Sequence, residues 1–228
     1  MPSGKNPVPS LPTRHDVDHA NREFLTNGAP FKADVMVVDL GEGPMVVKDF
    51  SGRSWWRRLI GRLEIDHECR AYEYLGPTPC FPTFIGRIDR DALAIEKVDG
   101  ISLRLADDID TWRDRYLGQM RSAMERLTER GFLHLDARAY RNVLRRPDGR
   151  VVFIDLAGSL WIPPGRLGHR ILRRFTALYY EANLIKWETM LAPGGDPRKG
   201  QPKPPRYVHG FGDLWRAWKR LRSRRSDV

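Results

Sequence analysis

The chain has 228 residues, 41% of them hydrophobic and 30% charged, with 39 Lys+Arg against 29 Asp+Glu and a formal net charge of +10. That composition buries one core or a small two-lobed fold and excludes a disordered polymer. The charge is uneven: residues 1–160 hold 24 basic and 24 acidic side chains, residues 161–228 hold 15 and 5, which argues against a uniformly basic nucleic-acid coat and for a neutral body with a basic end.

Residues 1–22, rich in Pro and polar groups, read as an extended or partly ordered arm. A strand near Phe24–Leu25 leads into the turn signal Asn27-Gly28. DVMVVDL (34–40) and PMVVKDF (44–50) flank Gly41-Glu42-Gly43 and predict a hairpin. Residues 54–75 predict a helix, bent or broken near Gly61 and ended by Pro79 and Pro82. FIGRI and ALAIEKV predict further strands, so the first hundred residues read as a small antiparallel sheet with one helix.

The second half is more helical. Trp112, Tyr116, Leu117, Met120, Met124 and Leu127 recur at helical spacing over 111–130, with Asp110 as N-cap and Gly131 as stop. NVL and RVVFID predict short strands around Pro147-Asp148-Gly149. Residues 170–191 predict another helix, carrying Ile171, Leu172, Phe175, Leu178, Tyr179 and Ile185. Residues 194–206 read as a flexible basic linker. Phe211, Leu214, Trp215, Trp218 and Leu221 then fall on one stripe among arginines and a lysine. Such a helix suits an anionic membrane interface first, docking on the body second and nucleic acid third. Trp55, Trp56, Arg57, Arg58, Leu59 and Ile60 form a shorter cluster of the same kind.

Five residues carry the chemistry. Lys48 shares a strand face with Val46 and Phe50; it sits either on an edge strand in water or opposite a carboxylate. Glu68 falls on the helical stripe Ile65, Tyr72, Leu75, and is either a boundary residue or the partner of a cation. A strand lysine followed about twenty residues later by an inward helical glutamate is the pattern of a nucleotide-positioning ion pair. Asp136 follows a long helix, Asn142 opens a short strand and Asp155 closes the next. They read as loop caps, or as a base for a substrate hydroxyl (Asp136) with two hard oxygen ligands for Mg²⁺ (Asn142, Asp155). The spacings His15-x3-His19 and His67-x-Cys69 match no strong zinc pattern and favour solvent or core roles. Two cysteines, Cys69 and Cys80, exclude a disulfide framework. Neither an apolar signal core nor a membrane-spanning run is present, so the expected compartment is the cytoplasm.

On VVK (Lys48), HECRAYEYL (Glu68), IEKVDG (95–100), HLDARAYRNVL and VFIDLAG, over about residues 24–190, the sequence resembles the protein-kinase-like superfamily. Within it, the likeness is to the small bacterial branch near the RIO kinases and the lipopolysaccharide sugar kinases. The resemblance implies an α+β bilobal fold: an N-lobe over 24–98 with a small antiparallel sheet and one helix, and a mostly helical C-lobe over 99–192. Residues 1–23 would be an arm and 193–228 a basic linker and helix. It implies ATP with Mg²⁺ or Mn²⁺. Lys48 and Glu68 would hold the phosphates, Gly28 would approach them, and Glu96 and Val98 would line the lobe hinge. Asp136 would be the catalytic base, Arg138 would steady the transferred group, and Asn142 and Asp155 would ligate metal. The implied acceptor is a hydroxyl of a lipopolysaccharide-type sugar, an envelope glycolipid or a protein Ser/Thr, at the inner face of the cytoplasmic membrane. A pseudokinase or an RNA-associated RIO-like kinase are the alternatives. Three features depart from the pattern. Asn142 follows Asp136 by six residues where most kinases use five, DLA replaces DFG, and no G-x-G-x-x-G is present. Only about fifteen residues (156–170) separate Asp155 from the next helix, too few for a long activation segment.

Overall fold

The computed structural model describes residues 9–26, 32–106 and 108–192. Gly28, the turn expected at Asn27-Gly28 and the basic segment 193–228, with the stripe expected to meet a membrane, lie outside the described residues. The fold is mixed α+β with an antiparallel sheet and four helices among the described residues. None of these helices is long and apolar enough to cross a membrane. The chain divides into two compact units, one from Met1–Leu103 with His134–Ser159, the other from Arg104–Leu133 with Leu160 onward.

In the first unit, β1 (Arg22–Thr26), β2 (Asp34–Asp39), β3 (Pro44–Asp49), β4 (Phe84–Arg87) and β5 (Ala92–Glu96) form a sheet of order β1-β2-β3-β5-β4. The glycines of Gly41-Glu42-Gly43 take positive φ and close the β2–β3 hairpin as expected. Its register sets Met36 against Val47 and Val38 against Met45 on one face, and Val35 against Lys48 on the other. β3 is central, which rejects the edge-strand option for Lys48.

The N-terminal segment departs from expectation. Arg14–His19 is a short helix (α1), started by a capping box in which Thr13 and Asp16 satisfy each other's backbone donors. It places Val17, fully buried, against Met36, Val38, Met45, Val47, Ala92 and Ala94. The small Ala92 and Ala94 leave room for it. Arg14 also ion-pairs with the buried Asp49 at 2.5 Å and with Asp89 at 2.7 Å. Within the segment expected to be an arm, Val17 is therefore part of the core of the sheet.

α2 (Trp55–Leu75) runs unbroken through Gly61. That glycine makes room rather than a bend, because a Cβ there would overlap the ring of buried Phe50. Gly76, at φ +61, ends the helix before either proline. Its buried stripe contains Ile65, Glu68, Tyr72 and Leu75, as the spacing predicts. At its start Trp55 is 79% exposed. The arginines of that cluster are engaged: Arg58 pairs with Asp91 at 2.5 Å, and Arg57 lies over the Trp56 ring. β6 (Ile101–Ser102) precedes the second unit.

In the second unit, α3 (Ile109–Glu129) buries Tyr116, Met120, Ala123, Met124 and Leu127. Its N-cap is Asp108, two residues before the expected Asp110, and Trp112 is exposed. β7 (Phe132–His134) follows; β8 (Val143–Arg145) and β9 (Val151–Phe153) belong to the first unit, and β10 (Ser159–Trp161) comes after them in the chain. β8 lies between β6 and β9 in a three-stranded sheet. α4 (His169–Met190) buries Thr176, Tyr179, Tyr180, Asn183, Leu184 and Trp187. Ile171, Leu178 and Ile185, expected on its apolar face, are exposed. Apolar residues surround this helix, so spacing alone did not select the face. Tyr180 settles it, donating its hydroxyl to the Phe132 carbonyl at 3.1 Å.

Candidate functional site

All the candidate residues described, Lys48, Glu68, Glu96, Val98, Asp136, Arg138, Asn142 and Asp155, belong to the first unit. β3 carries Lys48 away from the Val17 cluster, and α2 carries Glu68 at the middle of its buried stripe. Lys48 Nζ donates to Glu68 Oε1 at 2.7 Å, to Oε2 at 2.9 Å and to Asp155 Oδ1 at 3.0 Å. Glu68 Oε1 also accepts the Leu156 backbone N–H at 3.3 Å. Sequence positions 48, 68 and 155 thus meet at one ammonium. The three side chains grade outward, with Glu68 1% exposed, Lys48 13% and Asp155 43%.

Two carboxylates around one ammonium leave a formal charge of −1 at the open end. Burial alone would lower the Lys48 pKa, but Asp155 and Glu68 outweigh it and hold the amine cationic, above its ordinary range. The Lys48 ammonium, acting against burial, holds the Asp155 carboxyl down to about 2. Burial pushes the Glu68 carboxyl up, against the pull of Lys48. Asp155 sits in the left-handed region at φ 69, the one non-glycine residue to do so among those described. Strain of this kind persists only where surrounding contacts hold it.

The loop bearing Asp136 accommodates its extra residue by a simple device. Ala139 N–H donates to the Asp136 carbonyl at 3.0 Å, and Asn142 N–H donates to the Ala139 carbonyl at 2.8 Å. Two successive four-residue turns, 136–139 and 139–142, share Ala139 and cover the six-residue step. Asn142 is buried just before β8, in a short 3-10 turn and not in the strand. Its side-chain amide points at the Asp136 carbonyl, 3.5 Å away. The Ile154 N–H donates to the Asn142 carbonyl and the Leu135 N–H to the Gly158 carbonyl, both at 2.9 Å, lacing this loop to the segment around Asp155. Asp155 itself lies two residues beyond the end of β9. Gly158 allows that approach, because a Cβ there would stand 3.2 Å from Asp136 Oδ2. His134 is buried between Phe81 and Phe153, and burial pushes its pKa down to about 4, so the ring is neutral at pH 7.

The remaining candidates are placed as follows. Arg138 is half-buried on the first turn. Glu96 ends β5 and Val98 is half-buried beyond it. The Glu96 carboxylate is engaged by Thr83 and Arg146. His67 donates from Nε2 to the Ser159 carbonyl at 2.8 Å, tying α2 to the strand after Asp155. Cys69 is buried, its thiol pushed up to about 12 by burial. The His15 and His19 rings lie 4.1 Å apart, tilted by 39°. Among the described residues no group of three or more His, Cys, Asp or Glu is arranged to hold a metal. The chemistry of Asp155 and Asn142, one half-exposed carboxylate and one amide, suits a hard divalent cation that keeps water and phosphate oxygens as further ligands. Sequence reading missed His67, Arg146 and the role of Gly158; only His67 carried a signal, its position beside the inward Glu68.

No protein-family model matches the chain, and no curated protein matches it.

Proposed function

We propose that the chain is an ATP-dependent phosphotransferase with a bilobal kinase-like fold, moving the γ-phosphate to a hydroxyl. The observation that supports this best is the single ammonium of Lys48 held between buried Glu68 and half-exposed Asp155. The ammonium is held in place by these contacts, and the formal −1 left at the open end suits a divalent cation brought in with a polyphosphate. Lys48 would bind the α/β-phosphates, and Asp155 with Asn142 would hold Mg²⁺ or Mn²⁺. The bound cation would neutralise charge on the phosphate oxygens. Asp136 accepts the proton of the acceptor hydroxyl as its oxygen bonds the γ-phosphorus and the bond to the β,γ-bridging oxygen breaks, releasing ADP. Arg138 lies on the same turn as Asp136 and would steady the transferred group.

The proposed acceptor is a sugar hydroxyl of a lipopolysaccharide-type or envelope glycolipid, with protein Ser/Thr next, at the cytoplasmic face of a membrane. Exposed Trp55 and Leu59 on α2 are consistent with that location. Thermal unfolding with ATP and Mg²⁺, followed by ATP turnover of Asp136→Ala and Asp155→Ala, tests the reading. The expected result is stabilisation by nucleotide and a loss of about 10²-fold or more in turnover for each variant. Normal turnover in both would refute the site. Nucleotide binding without transfer to any acceptor would favour a regulatory pseudokinase.

A further inference from the structure

The segment 96–102 is fastened to the strand that begins at Asn142 by contacts that the phosphate site does not use. Glu96 Oε1 accepts from Arg146 Nη2 at 2.7 Å. Its other oxygen accepts the Thr83 N–H at 2.9 Å and hydroxyl at 3.1 Å, and its own N–H donates to the Thr83 carbonyl at 2.8 Å. Glu96 and Arg146 are both only partly exposed, so the pair is not a freely solvated surface bridge. Four residues on, Gly100 abuts the Arg145 carbonyl, which would lie 2.6 Å from any Cβ there. Ile101 then pairs with Arg145 and Ser102 with Leu144, and Ser102 Oγ donates to the Tyr140 carbonyl at 3.1 Å.

These contacts form one run. Segment 96–102 is joined to residues 140–146, the Asn142 carbonyl to Ile154, and Ile154 to Asp155. With three donors already on it, the partly exposed Glu96 carboxylate is engaged by the chain around it. We infer that Arg146, through Glu96, is a positioning residue that fixes segment 96–100 relative to Asn142 and Asp155 and so sets the affinity for nucleotide. The inference rests on the phosphotransferase reading. It predicts an effect on binding and not on the chemical step, because Arg146 touches neither Asp136 nor Lys48 in any hydrogen bond or ion pair.

The test uses the full chain, with ATP and Mg²⁺ as the probe in calorimetric binding and in turnover. Arg146→Gln is expected to raise Kd and KM for ATP about tenfold with kcat within about twofold. Arg146→Lys, which keeps the charge with a different donor geometry, is expected to recover part of the loss. Adding Arg146→Gln to Glu96→Gln is expected to change Kd by less than about twofold, since both act through one contact. Unaltered KM in Arg146→Gln, an equal fall in kcat, or additive effects in the double variant would each overturn the inference while leaving the phosphotransferase reading intact. Failure of the unsubstituted chain to bind ATP would overturn that reading and the inference with it.

Discussion

Replacing Lys48 by Met removes the ion-pair partner that Glu68 has among the described residues while nearly conserving volume. Glu68 is 1% exposed, and water cannot take the place of the lost ammonium. Breaking such a pair costs roughly 3–5 kcal/mol when the orphaned charge persists. A carboxylate can escape by taking up a proton. From an ordinary pKa of 4.5, neutralising it at pH 7 costs about 2.5 × 1.36, or about 3.4 kcal/mol. The penalty is therefore capped near that value at pH 7 and falls to about 1.4 kcal/mol at pH 5.5. The sign follows from proton binding: the folded variant holds a proton on Glu68 that the unfolded chain lacks, so its stability falls as pH rises above 4.5. The unsubstituted protein has an opposite contribution from Asp155, present above pH 3.8 and lost as pH falls through about 2. Because Asp155 is 43% exposed, that contribution is on the order of 1 kcal/mol or less and constant above about pH 5. Urea unfolding of both proteins from pH 5 to 7.5 should show a stability difference growing by up to about 1.4 kcal/mol per pH unit, and by less where Glu68 of the unsubstituted protein, itself pushed up by burial, also holds a proton. Lys48→Met/Glu68→Gln should lose that slope. A difference that is flat with pH, or below about 1 kcal/mol at pH 7, would refute the reasoning.

Gly61→Ala should lower the unfolding free energy by about 1–3 kcal/mol by forcing a methyl into the Phe50 ring; an unchanged urea midpoint would show that Phe50 does not seat there. Gly158→Ala should reduce phosphotransfer about tenfold by displacing the Asp136 carboxylate, with little change in unfolding midpoint; equal turnover would separate Gly158 from the site. Cys69 and Cys80 are both buried, and the Cys69 thiol lies near 12, so a thiol reagent at pH 8 should label neither until denaturant unfolds the chain. Rapid labelling of the native protein would contradict that burial.

The elements legible in the sequence were those whose local pattern had one solution. Alternation in 34–40 and 44–50, with two glycines between, gave the hairpin, and the stripe Ile65–Leu75 put Glu68 inward. Glu68 as the distant partner of Lys48 came from a resemblance and from the cost of burying a charge; Asp155, expected only as a metal ligand, also reaches the same ammonium. What escaped depended on tertiary contacts. Gly61 looks like a helix breaker until Phe50 is known to pack on it. Asp49 lies on the apolar face of β3 only because Arg14, 35 residues away, neutralises it. The prolines and polar residues of 1–22 read as an arm, and the capping box of Thr13 and Asp16 becomes evident only in the structure. The face of α4 was undetermined because several of its sides are apolar. The six-residue step from Asp136 to Asn142 looked like a departure, yet it folds as two turns sharing Ala139.

The most direct test is transfer itself. The full chain is incubated with ATP, Mg²⁺ and an envelope extract, and mass spectrometry follows the molecules that gain a phosphate, alongside ATP binding by the same preparation. Phosphate should move to a hydroxyl-bearing glycolipid or protein acceptor, and Asp136→Asn should bind ATP normally while transferring about 10²-fold less or worse. Equal transfer by Asp136→Asn, or no ATP binding by the unsubstituted chain, would contradict the assignment of Lys48, Glu68, Asp136 and Asp155 to a phosphotransfer site.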